Sequence, residues 1–272
     1  MIKGKRILIA GSAGSIGSEL VRQLAPNNTI YSVDINESGL FDLEQTLNTP
    51  NVTSRVSDIR DRRTVEDIFQ DFKPHIVINC AAYKHVPLMQ YTPEEAIKTN
   101  VLGHLNLVHT AKTWECVEKF IYISTDKAVS SHSIMGATKL LGERITTNQG
   151  YTVIRFGNVM NSRGSLFKIW QRQIDNGEDI TVTDERMERY FMTIPEAVEL
   201  VIEAAVDSKG GDTYIMDMGK KVNIYELAKK IVKGSDVEIK ITGIREGETL
   251  TEEIMTSEEK QRATLKGKFY IL

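Results

Sequence analysis

Apolar and polar residues alternate in blocks along the first 150 or so residues of the chain. Short runs that are almost wholly apolar recur, and amphipathic stretches with helical spacing separate them. The apolar runs predict strands at 6–11, 29–34, 52–58, 75–82, 119–125 and 151–157, and the stretches between them predict helices near 16–25, 38–47, 61–72, 91–113 and 134–148. Strands this apolar are typical of a parallel sheet covered by helices on both faces, so the pattern predicts a doubly wound α/β fold.

The pattern becomes less regular after residue 157. A polar loop precedes helical patterns at 166–176, from Pro195 onward and at about 223–233, and a short strand pattern, VEIKIT, follows. We therefore predict a Rossmann-type domain at 1–156 and a smaller lobe at 157–272, with some segments of the lobe returning to the main sheet.

Composition and charge exclude several classes of protein. The chain is 41% hydrophobic and 26% charged, as is ordinary for a globular protein, and its net charge of −3 predicts no nucleic-acid partner. The two cysteines form no CxxC pair and the five histidines lack metal-ligand spacing, so reduced thiols and no metal are predicted. No apolar run approaches the roughly 20 residues needed to cross a bilayer, and no signal peptide is recognisable, so we expect a cytoplasmic protein without membrane partners.

A glycine-rich turn, GSAGSIG, follows the first predicted strand and opens the first predicted helix. Its glycines, Gly11, Gly14 and Gly17, are spaced GxxGxxG rather than in the commoner GxGxxG. Glycines there permit a tight turn and close backbone approach, while the helix N-terminus faces a pyrophosphate. Glycines also occur in turns without ligands, but this position between strand and helix favours a dinucleotide site.

Asp34 ends the second predicted strand, where a carboxylate can accept hydrogen bonds from ribose hydroxyls and repel a 2′-phosphate. We therefore predict bound NAD(P), with NAD favoured. NADP stays open because Arg22, Arg55 or Arg60 could approach from elsewhere. Asp58 and Ile59, after the third strand, are either an adenine contact or the start of a helix cap.

Seven segments resemble the extended short-chain dehydrogenase/reductases, and among them the bacterial UDP-N-acetylglucosamine 4,6-dehydratases of polysaccharide biosynthesis. In chain order they are GSAGSIG, AAYKHVPLM, EEAIKTNVLG, STDKAVSSHSIMGATK, RFGNVMNSRGS, ERYFMTIPEA and IREGETLTEE. The resemblance implies a UDP-sugar substrate, a tightly bound NAD(P) that is recycled, and a homodimer or higher homo-oligomer formed through the helices near 91–113 and 134–148.

The resemblance also implies the residues of the site. Cofactor contacts would be Gly11, Gly14, Ser15, Ile16, Gly17, Asp34, Asp58, Ile59, Ala81, Ala82, Lys84, Asn100 and Lys139. Substrate contacts would be Lys84, His85, Asn158, Arg163, Arg245 and Glu248. The lobe at 157–272 would mostly bind substrate. An exposed Arg–Glu loop and a buried helix Asn are the ordinary structural alternatives for Arg245 with Glu248 and for Asn100.

The segment STDKAVSSHSIMGATK departs from the commonest family pattern, because Met135 stands where a catalytic Tyr precedes Lys139 by four residues. The resemblance implies that Thr125 polarises the C4 oxygen, Asp126 is the acid at C6, and Lys127 is the base at C5. These roles require Asp126 to be protonated and Lys127 to be neutral, and desolvation favours both states while their mutual attraction opposes both.

Two further roles follow from the same segment. Lys139, one helical turn after Met135, would bond the nicotinamide ribose, and Met135 would pack over the nicotinamide or the sugar, since a thioether takes no proton. The acceptor of the C4 hydroxyl proton stays open between Thr125, acting through water, and Lys127.

The predicted function is a UDP-N-acetylglucosamine 4,6-dehydratase that inverts C5, by analogy with relatives that lack a membrane anchor. Two alternatives remain. A C4 epimerase on the same fold would need a base at C4, normally the missing Tyr, and would have no use for Asp126 and Lys127. A non-catalytic dinucleotide sensor would have no need of the segment IREGETLTEE.

Overall fold

A computed structural model describes residues 1–47 and 49–272 of the chain. The α-helices within these residues are α1 (Ser15–Leu24), α2 (Glu37–Leu47), α3 (Arg62–Phe72), α4 (Val86–Tyr91), α5 (Pro93–Ala96), α6 (His104–Thr113), α7 (Ile134–Asn148), α8 (Leu166–Asp175), α9 (Ile194–Asp207), α10 (Ile224–Val232) and α11 (Ser257–Arg262). A π-helical segment, Ile97–Gly103, joins α5 to α6, and a 3₁₀ turn, Asp126–Ala128, lies between β5 and α7.

The strands within the same residues are β1 (Arg6–Ala10), β2 (Thr29–Asp34), β3 (Val52–Val56), β4 (Ile76–Asn79), β5 (Lys119–Thr125), β6 (Thr152–Phe156), β7 (Asn158–Val159), β8 (Ile180–Val182), β9 (Glu188–Arg189), β10 (Phe191–Met192), β11 (Thr213–Met216), β12 (Val222–Asn223), β13 (Ile239–Ile241), β14 (Thr264–Lys266) and β15 (Phe269–Ile271).

The main sheet has the order β3-β2-β1-β4-β5-β6-β11-β15-β14 in the described part of the chain. The strands from β3 to β11 run parallel, and β15 runs antiparallel to both of its neighbours. The register is fixed at the centre, where Ile7 of β1 lies beside Ile30 of β2 and Ile76 of β4. This is the strand order of a Rossmann sheet, so the predicted doubly wound fold is confirmed.

Side chains that alternate along β1 enter two different cores. Ile7 and Ile9 pack in a cluster with Val21 of α1 and Val201 of α9, whereas Leu8 packs on the opposite face among side chains of α3 and α6. Both sets are buried, which explains why the strand is apolar at every position. Helices cover both faces, and the carboxyl ends of the parallel strands are left to form a site.

The long helix predicted at 91–113 is interrupted. The π-helical segment widens its middle, and there Asn100 turns its amide onto the backbone N–H and carbonyl of Tyr83. The spacing of apolar residues does not show where a helix takes up an extra residue in a turn, so this π-helical segment could not be predicted. Segments of this kind often occur at functional sites.

The segments after residue 157 divide between two environments. Strands β11, β14 and β15 extend the main sheet, whereas β8 pairs with β13 around a separate apolar cluster that contains Trp170. None of the helices in the described residues is long and apolar enough to span a membrane.

Candidate active site

The glycine turn lies at the carboxyl end of β1, close against the segment that follows β4. Gly11 has a φ of 77°, and a Cβ there would stand 2.5 Å from the backbone nitrogen of Ala81. A Cβ at Gly17 would collide with the carbonyl of Gly11. Gly14 is the N-cap of α1 and supplies no side chain to cap it, so the first N–H groups of α1 remain available to an anion.

A groove of about 240 Å³ runs along this edge of the sheet. Seven of the predicted cofactor residues line it: Gly11, Gly14, Asp34, Asp58, Ile59, Ala81 and Ala82. Arg163, predicted as a substrate contact, lines the same groove, and its backbone N–H donates to the hydroxyl of Ser15 at 2.9 Å. The structure thus brings Arg163 to the glycine turn. Ile16 instead packs against the apolar core.

The acidic residues of the groove are held in place by short hydrogen bonds. The two carboxylate oxygens of Asp34 accept from the N–H groups of Ala13 and Asn36, each at 2.9 Å. Arg60 lies 2.6 Å from Asp58 and 2.7 Å from Glu95. Although burial opposes the change, the bonds and charge of Arg60 lower the pKa of Asp58 below its ordinary value. Arg60 is therefore shared by two carboxylates.

Asn100 is buried, and its side-chain amide forms hydrogen bonds with other groups of the protein. Its amide donates to the hydroxyl of Thr138 on α7 at 3.0 Å, in addition to its two bonds with the backbone of Tyr83. The residue therefore fixes the segment after β4 against α7. Its observed contacts are those of a scaffold residue.

Asp126 begins the 3₁₀ turn that follows β5, and its side chain is fully buried. One oxygen, Oδ1, accepts from the Thr125 hydroxyl at 2.9 Å and from Lys127 Nζ at 3.1 Å, whereas Oδ2 finds no donor among the described residues. Burial raises the pKa of Asp126 to about 6, with Lys127 opposing the rise and Glu252 adding to it. A protonated Asp126 is therefore accessible near neutral pH.

The ammonium group of Lys127 donates hydrogen bonds to three side-chain oxygens. Its Nζ donates to Asp126, to Asn158 Oδ1 at 3.1 Å and to Glu252 Oε2 at 2.9 Å. Burial works to lower the pKa of Lys127, but the charges of Asp126 and Glu252 outweigh it and raise that pKa. The neutral amine expected from the sequence is therefore not the resting form, because two carboxylates face this one ammonium.

Glu252 and Arg189 complete the cluster, and the sequence reasoning did not select either residue. The second oxygen of Glu252 lies 3.2 Å from Arg189 Nε, and both side chains are nearly buried. Both residues stand within segments that carry the family resemblance, ERYFMTIPEA and IREGETLTEE. The second segment contains four glutamates, and its spacing does not reveal which one turns inward.

Met135 and Lys139 lie on α7 beside this turn. Met135 is buried in an apolar cluster with Met89 and Ala96, so its thioether is a packing group. Lys139 Nζ donates to the carbonyl of Ile123 and lies 4.1 Å from the centre of the Tyr122 ring. Burial lowers the pKa of Lys139 to about 8, against an opposing effect of Glu143.

The remaining predicted substrate residues fall in two places. Lys84 Nζ donates to the hydroxyl of Ser162 at 3.3 Å, and burial together with the charge of Lys127 lowers its pKa, so Lys84 belongs to the same site. The ring of His85 fills the space above Gly164, where no Cβ could fit. Arg245 and Glu248 instead form an ion pair with each other on a loop, where the Arg245 side chain is 57% exposed.

The arrangement offers an acid, a base and a groove lined by the glycine turn at one edge of the sheet. Asp126 is buried and contacts the adjacent Lys127, whose side chain is 22% exposed, whereas the neighbouring Met135 cannot exchange a proton. A strand order of 3-2-1-4-5-6 with a glycine turn after β1 and an Asp ending β2 defines a Rossmann domain of the dinucleotide-binding class.

Comparison with known proteins places the chain within that class. A family described as polysaccharide biosynthesis protein matches residues 7–272, and the chain belongs to this family. Capsular polysaccharide biosynthesis protein CapD of Staphylococcus aureus is 38% identical over 99% of this chain, which spans only 48% of CapD, about half of its length. UDP-glucose 4-epimerase of Rickettsia bellii is 32% identical over 99% of this chain and 83% of that protein.

Solved structures show the same fold. Pen from Bacillus thuringiensis superposes with a TM-score of 0.93 at 32% identity, covering 99% of this chain and 88% of that chain. The dTDP-glucose 4,6-dehydratase DesIV of Streptomyces venezuelae, solved with NAD, shares the fold at 19% identity and a TM-score of 0.82, covering 94% of this chain and 92% of that chain. The chain therefore belongs to the extended short-chain dehydrogenase/reductase family that includes polysaccharide biosynthesis proteins and UDP-glucose 4-epimerases, and it shares its fold with a 4,6-dehydratase.

Proposed function

We propose that the chain is a nucleotide-sugar 4,6-dehydratase that acts on UDP-N-acetylglucosamine and inverts C5. The observation that carries the proposal is the contact between the buried Asp126 and the partly exposed Lys127, beside a helix in which Met135 replaces the usual base. A dehydratase needs one acid and one base at neighbouring carbons of the sugar, and this pair supplies both.

The groove fits a nicotinamide dinucleotide. The close backbone approach at Gly11 and the uncapped start of α1 suit a pyrophosphate, and Asp34 suits the ribose hydroxyls. When bound, NAD(P) would accept a hydride from C4 of the sugar and return it to C6, so that it leaves the reaction unchanged. We favour NAD, since Asp34 ends β2 in the groove and Arg60 is engaged by Asp58 and Glu95.

The chain's own residues would perform the loss of water. Thr125 would polarise the oxygen at C4. Once C4 is a ketone, its neighbour at C5 is acidic, and Lys127 would take the C5 proton while Asp126 gives a proton to the departing C6 hydroxyl. The C6–O bond breaks, a C5–C6 double bond forms, and water leaves. A proton added to the opposite face of C5 would then give the inverted configuration.

The resting charges of the pair are the reverse of those that this step uses. Asp126 and Lys127 touch at 3.1 Å, so transfer of one proton from Lys127 to Asp126 creates the acid and the base together. Substrate that covers the pair would favour this neutral form, because burial penalises both charges. The acceptor of the C4 hydroxyl proton is either Thr125, acting through water, or the neutral amine of Lys127, which would then have to release that proton to water before it takes the one at C5.

We propose that the uridine diphosphate lies on the side of Lys84, His85 and Asn158, with Arg163 near the glycine turn. Arg245 would have to leave Glu248 to reach a phosphate, and its exposed side chain can rotate. Arginine forks suit phosphate oxygens. On this basis, 157–272 supplies most of the substrate contacts.

A C4 epimerase is the second candidate, and the likeness to the Rickettsia bellii UDP-glucose 4-epimerase favours it. That reaction needs a proton acceptor at C4 but no acid at C6. Two observations favour dehydration over epimerisation. Met135, at the position of the usual C4 base, is buried among apolar side chains, and Asp126 lies buried beside Lys127, where an epimerase would have no use for the pair.

The test is incubation of the protein with UDP-N-acetylglucosamine in heavy water, followed by NMR of the product. A 4-keto-6-deoxy sugar that carries deuterium at C5 in the inverted configuration supports the proposal. UDP-N-acetylgalactosamine would establish the epimerase instead. Bound dinucleotide without any turnover would indicate a sensor.

A further inference from the structure

Glu252 is separated from Asp126 and Lys127 by more than a hundred residues, yet it joins them in the site. Its side chain is 7% exposed, with Lys127 Nζ 2.9 Å from one oxygen and Arg189 Nε 3.2 Å from the other. Each oxygen of Glu252 therefore faces a different cation. A carboxylate with two cationic partners is held in its ionised form.

The backbone around Glu252 is fixed by the same arginine. Arg189 donates to the carbonyls of Glu188, Thr249 and Leu250 at 2.8, 2.8 and 3.1 Å. The N–H of Glu188 also donates to the carbonyl of Leu250 at 2.9 Å. These bonds hold the chain just before Glu252 against β9, so the carboxylate has a defined position.

Asp126 and Glu252 both contact Lys127 Nζ, at 3.1 Å and 2.9 Å, so the two carboxyl groups lie close together. Two neighbouring negative charges oppose each other, and Glu252 therefore adds to the effect of burial in raising the pKa of Asp126. Among the described residues Glu252 faces two cations whereas Asp126 faces Lys127 alone, so Asp126 is the carboxyl that takes up a proton first as pH falls. The buried Oδ2 of Asp126, which finds no donor among the described residues, can carry that proton.

We propose that Glu252 is the positioning residue of the site, which orients Lys127 and places a second negative charge beside the carboxyl group of Asp126. It would act through these two groups rather than by touching the reacting atoms. The proposal rests on the dehydratase function proposed above for its kinetic consequences, and on geometry alone for its effect on Asp126.

The charged groups that face the pair come from several elements. Asp126 and Lys127 lie on the turn after β5, Arg189 on β9, Glu252 on the segment before α11, and Lys84 on the segment after β4. Asp126 and Glu252 are negative when ionised, and the other three are positive. Removing the charge of Glu252 therefore increases the excess of positive charge, which lowers the pKa of both Asp126 and Lys127.

The decisive variant is Glu252→Gln, which keeps the shape of the side chain and removes its charge. The pH profile of kcat should be bell-shaped, since the pair must hold one proton between its two members. Both limbs should move to lower pH in Glu252→Gln, by at least about one pH unit for a charge removed at this distance. A residue with only a structural role would lower kcat or raise KM and leave both limbs where they are.

Glu253→Gln is the matched control. Glu253 is the adjacent residue, its side chain is 43% exposed, and it pairs with Lys221 and Lys260 instead of the site. This variant should keep the wild-type profile. Limbs that move equally in both variants, or in neither, would overturn the proposal.

A second measurement separates this proposal from the proposed function and does not need turnover. In the unliganded protein, an infrared difference titration of wild type against Asp126→Asn should show a protonated carboxyl that ionises near pH 6. The same titration in the Glu252→Gln background should place this ionisation lower. An Asp126 that ionises near its ordinary value of about 4 in wild type would overturn the proposal even if the dehydratase activity is confirmed. Absence of turnover with the predicted titration would instead reject the function and leave the role of Glu252 intact.

Discussion

Asp126 and Lys127 differ from a surface ion pair because they are removed from water. Desolvating two charges costs more than their contact returns unless further hydrogen bonds satisfy them, and here Thr125, Asn158 and Glu252 supply those bonds. Replacing a buried ion pair by apolar side chains of similar size often costs no stability. We infer that the charges are present for their chemistry, and burial is what brings the pKa of Asp126 up to about 6, toward the value that an acid needs at neutral pH.

Asp126→Asn should abolish loss of water and spare exchange at C5. The amide cannot protonate the departing hydroxyl, whereas Lys127 loses a neighbouring negative charge and becomes neutral more easily. We expect a fall in turnover of at least about 10²-fold. NMR of the recovered UDP-N-acetylglucosamine from heavy water should still show deuterium at C5. Lys127→Met should abolish both the loss of water and the deuterium exchange at C5. Exchange at C5 that survives in this variant would contradict the role of Lys127 as the base.

Met135→Leu should remain active, because Met135 is buried in an apolar cluster with Met89 and Ala96. Leu and Met have similar volumes, and such exchanges in a packed cluster usually cost under about 1.5 kcal/mol. We therefore expect kcat/KM to stay within about threefold of wild type. Even if the whole of about 1.5 kcal/mol appeared in the activation barrier, kcat/KM would fall by about tenfold at the most. A much larger loss, with NAD binding and thermal stability retained, would show that the thioether has a specific role.

The residues of the site could be predicted in part from their neighbours in the sequence. The contact between Asp126 and Lys127 is local, because the residues are adjacent and begin one turn. The contact with Glu252 depends on how a distant segment packs, and four glutamates of IREGETLTEE have the same chemistry. Sequence spacing likewise could not show that Arg245 pairs with Glu248 or that Arg163 reaches the glycine turn.

At the scale of elements, a second buried charge cluster joins α11 to the main sheet behind the active site. Arg155 of β6 lies 2.6 Å from Glu143 of α7 and 2.9 Å from Glu259 of α11, and it also donates to the carbonyl of Ile254. The hydroxyl of Ser124, two residues before Asp126, donates to Glu143 at 2.6 Å. The cluster therefore connects β5, β6, α7 and α11 at the level of the site.

Arg155→Met should destabilise the fold by about 3–5 kcal/mol at neutral pH, because it leaves two buried carboxylates without their cation. Urea unfolding measures this difference. Burial raises the pKa of Glu259, but Arg155 outweighs it and lowers this pKa below the ordinary value of 4.5. The ion pair therefore stabilises the fold fully above pH 4.5, and this stabilisation is lost as the pH falls through the pKa of Glu259 in the folded protein. The deficit of the variant should therefore shrink in acid.

Arg62→Met is the control for this prediction. Arg62 lies on α3, its side chain is 70% exposed, and it pairs with Glu66 one helical turn away. Exposed pairs contribute little, so this variant should unfold close to wild type at every pH. A deficit in Arg155→Met that stays constant with pH would indicate lost packing instead of lost charge.

Regular elements could be predicted most closely where one pattern dominates. The strand predictions at 29–34 and 119–125 match β2 and β5 residue for residue, because strong apolar runs end at polar turns. The helix at 91–113 was wrong in its middle, since the bonds of Asn100 to Tyr83 override helical spacing. The short strands β14 and β15 were not predicted, because two three-residue strands have too few positions to show a period.

At the scale of the whole molecule, we propose a homodimer through the helical segments predicted for that role. Leu102 of the π-helical segment and Leu141 of α7 are 50% and 51% exposed, and Ile97 is 46% exposed. All three residues lie on the segments that the family resemblance assigns to the dimer, and a contiguous exposed apolar patch is the mark of a protein contact. Four such helices from two copies would form a bundle.

Leu141→Glu should weaken this association, because a charge would be buried at the contact. Light scattering after size exclusion should show a larger share of monomer at equal protein concentration. Leu265→Glu, at a residue of the edge strand β14 that is 57% exposed, should leave the mass unchanged. A wild-type protein that is monomeric at high concentration would contradict the proposed dimer.

The central claim is that the pair of Asp126 and Lys127 performs a dehydration at a site that lacks tyrosinate. The most direct test is one turnover of UDP-N-acetylglucosamine labelled with deuterium at C4, followed by NMR of the product. A dehydratase must move the label to the C6 methyl group within one molecule, and we predict a 4-keto product with one deuterium at C6. A label that remains at C4, on a mixture of the two C4 epimers, would contradict the account.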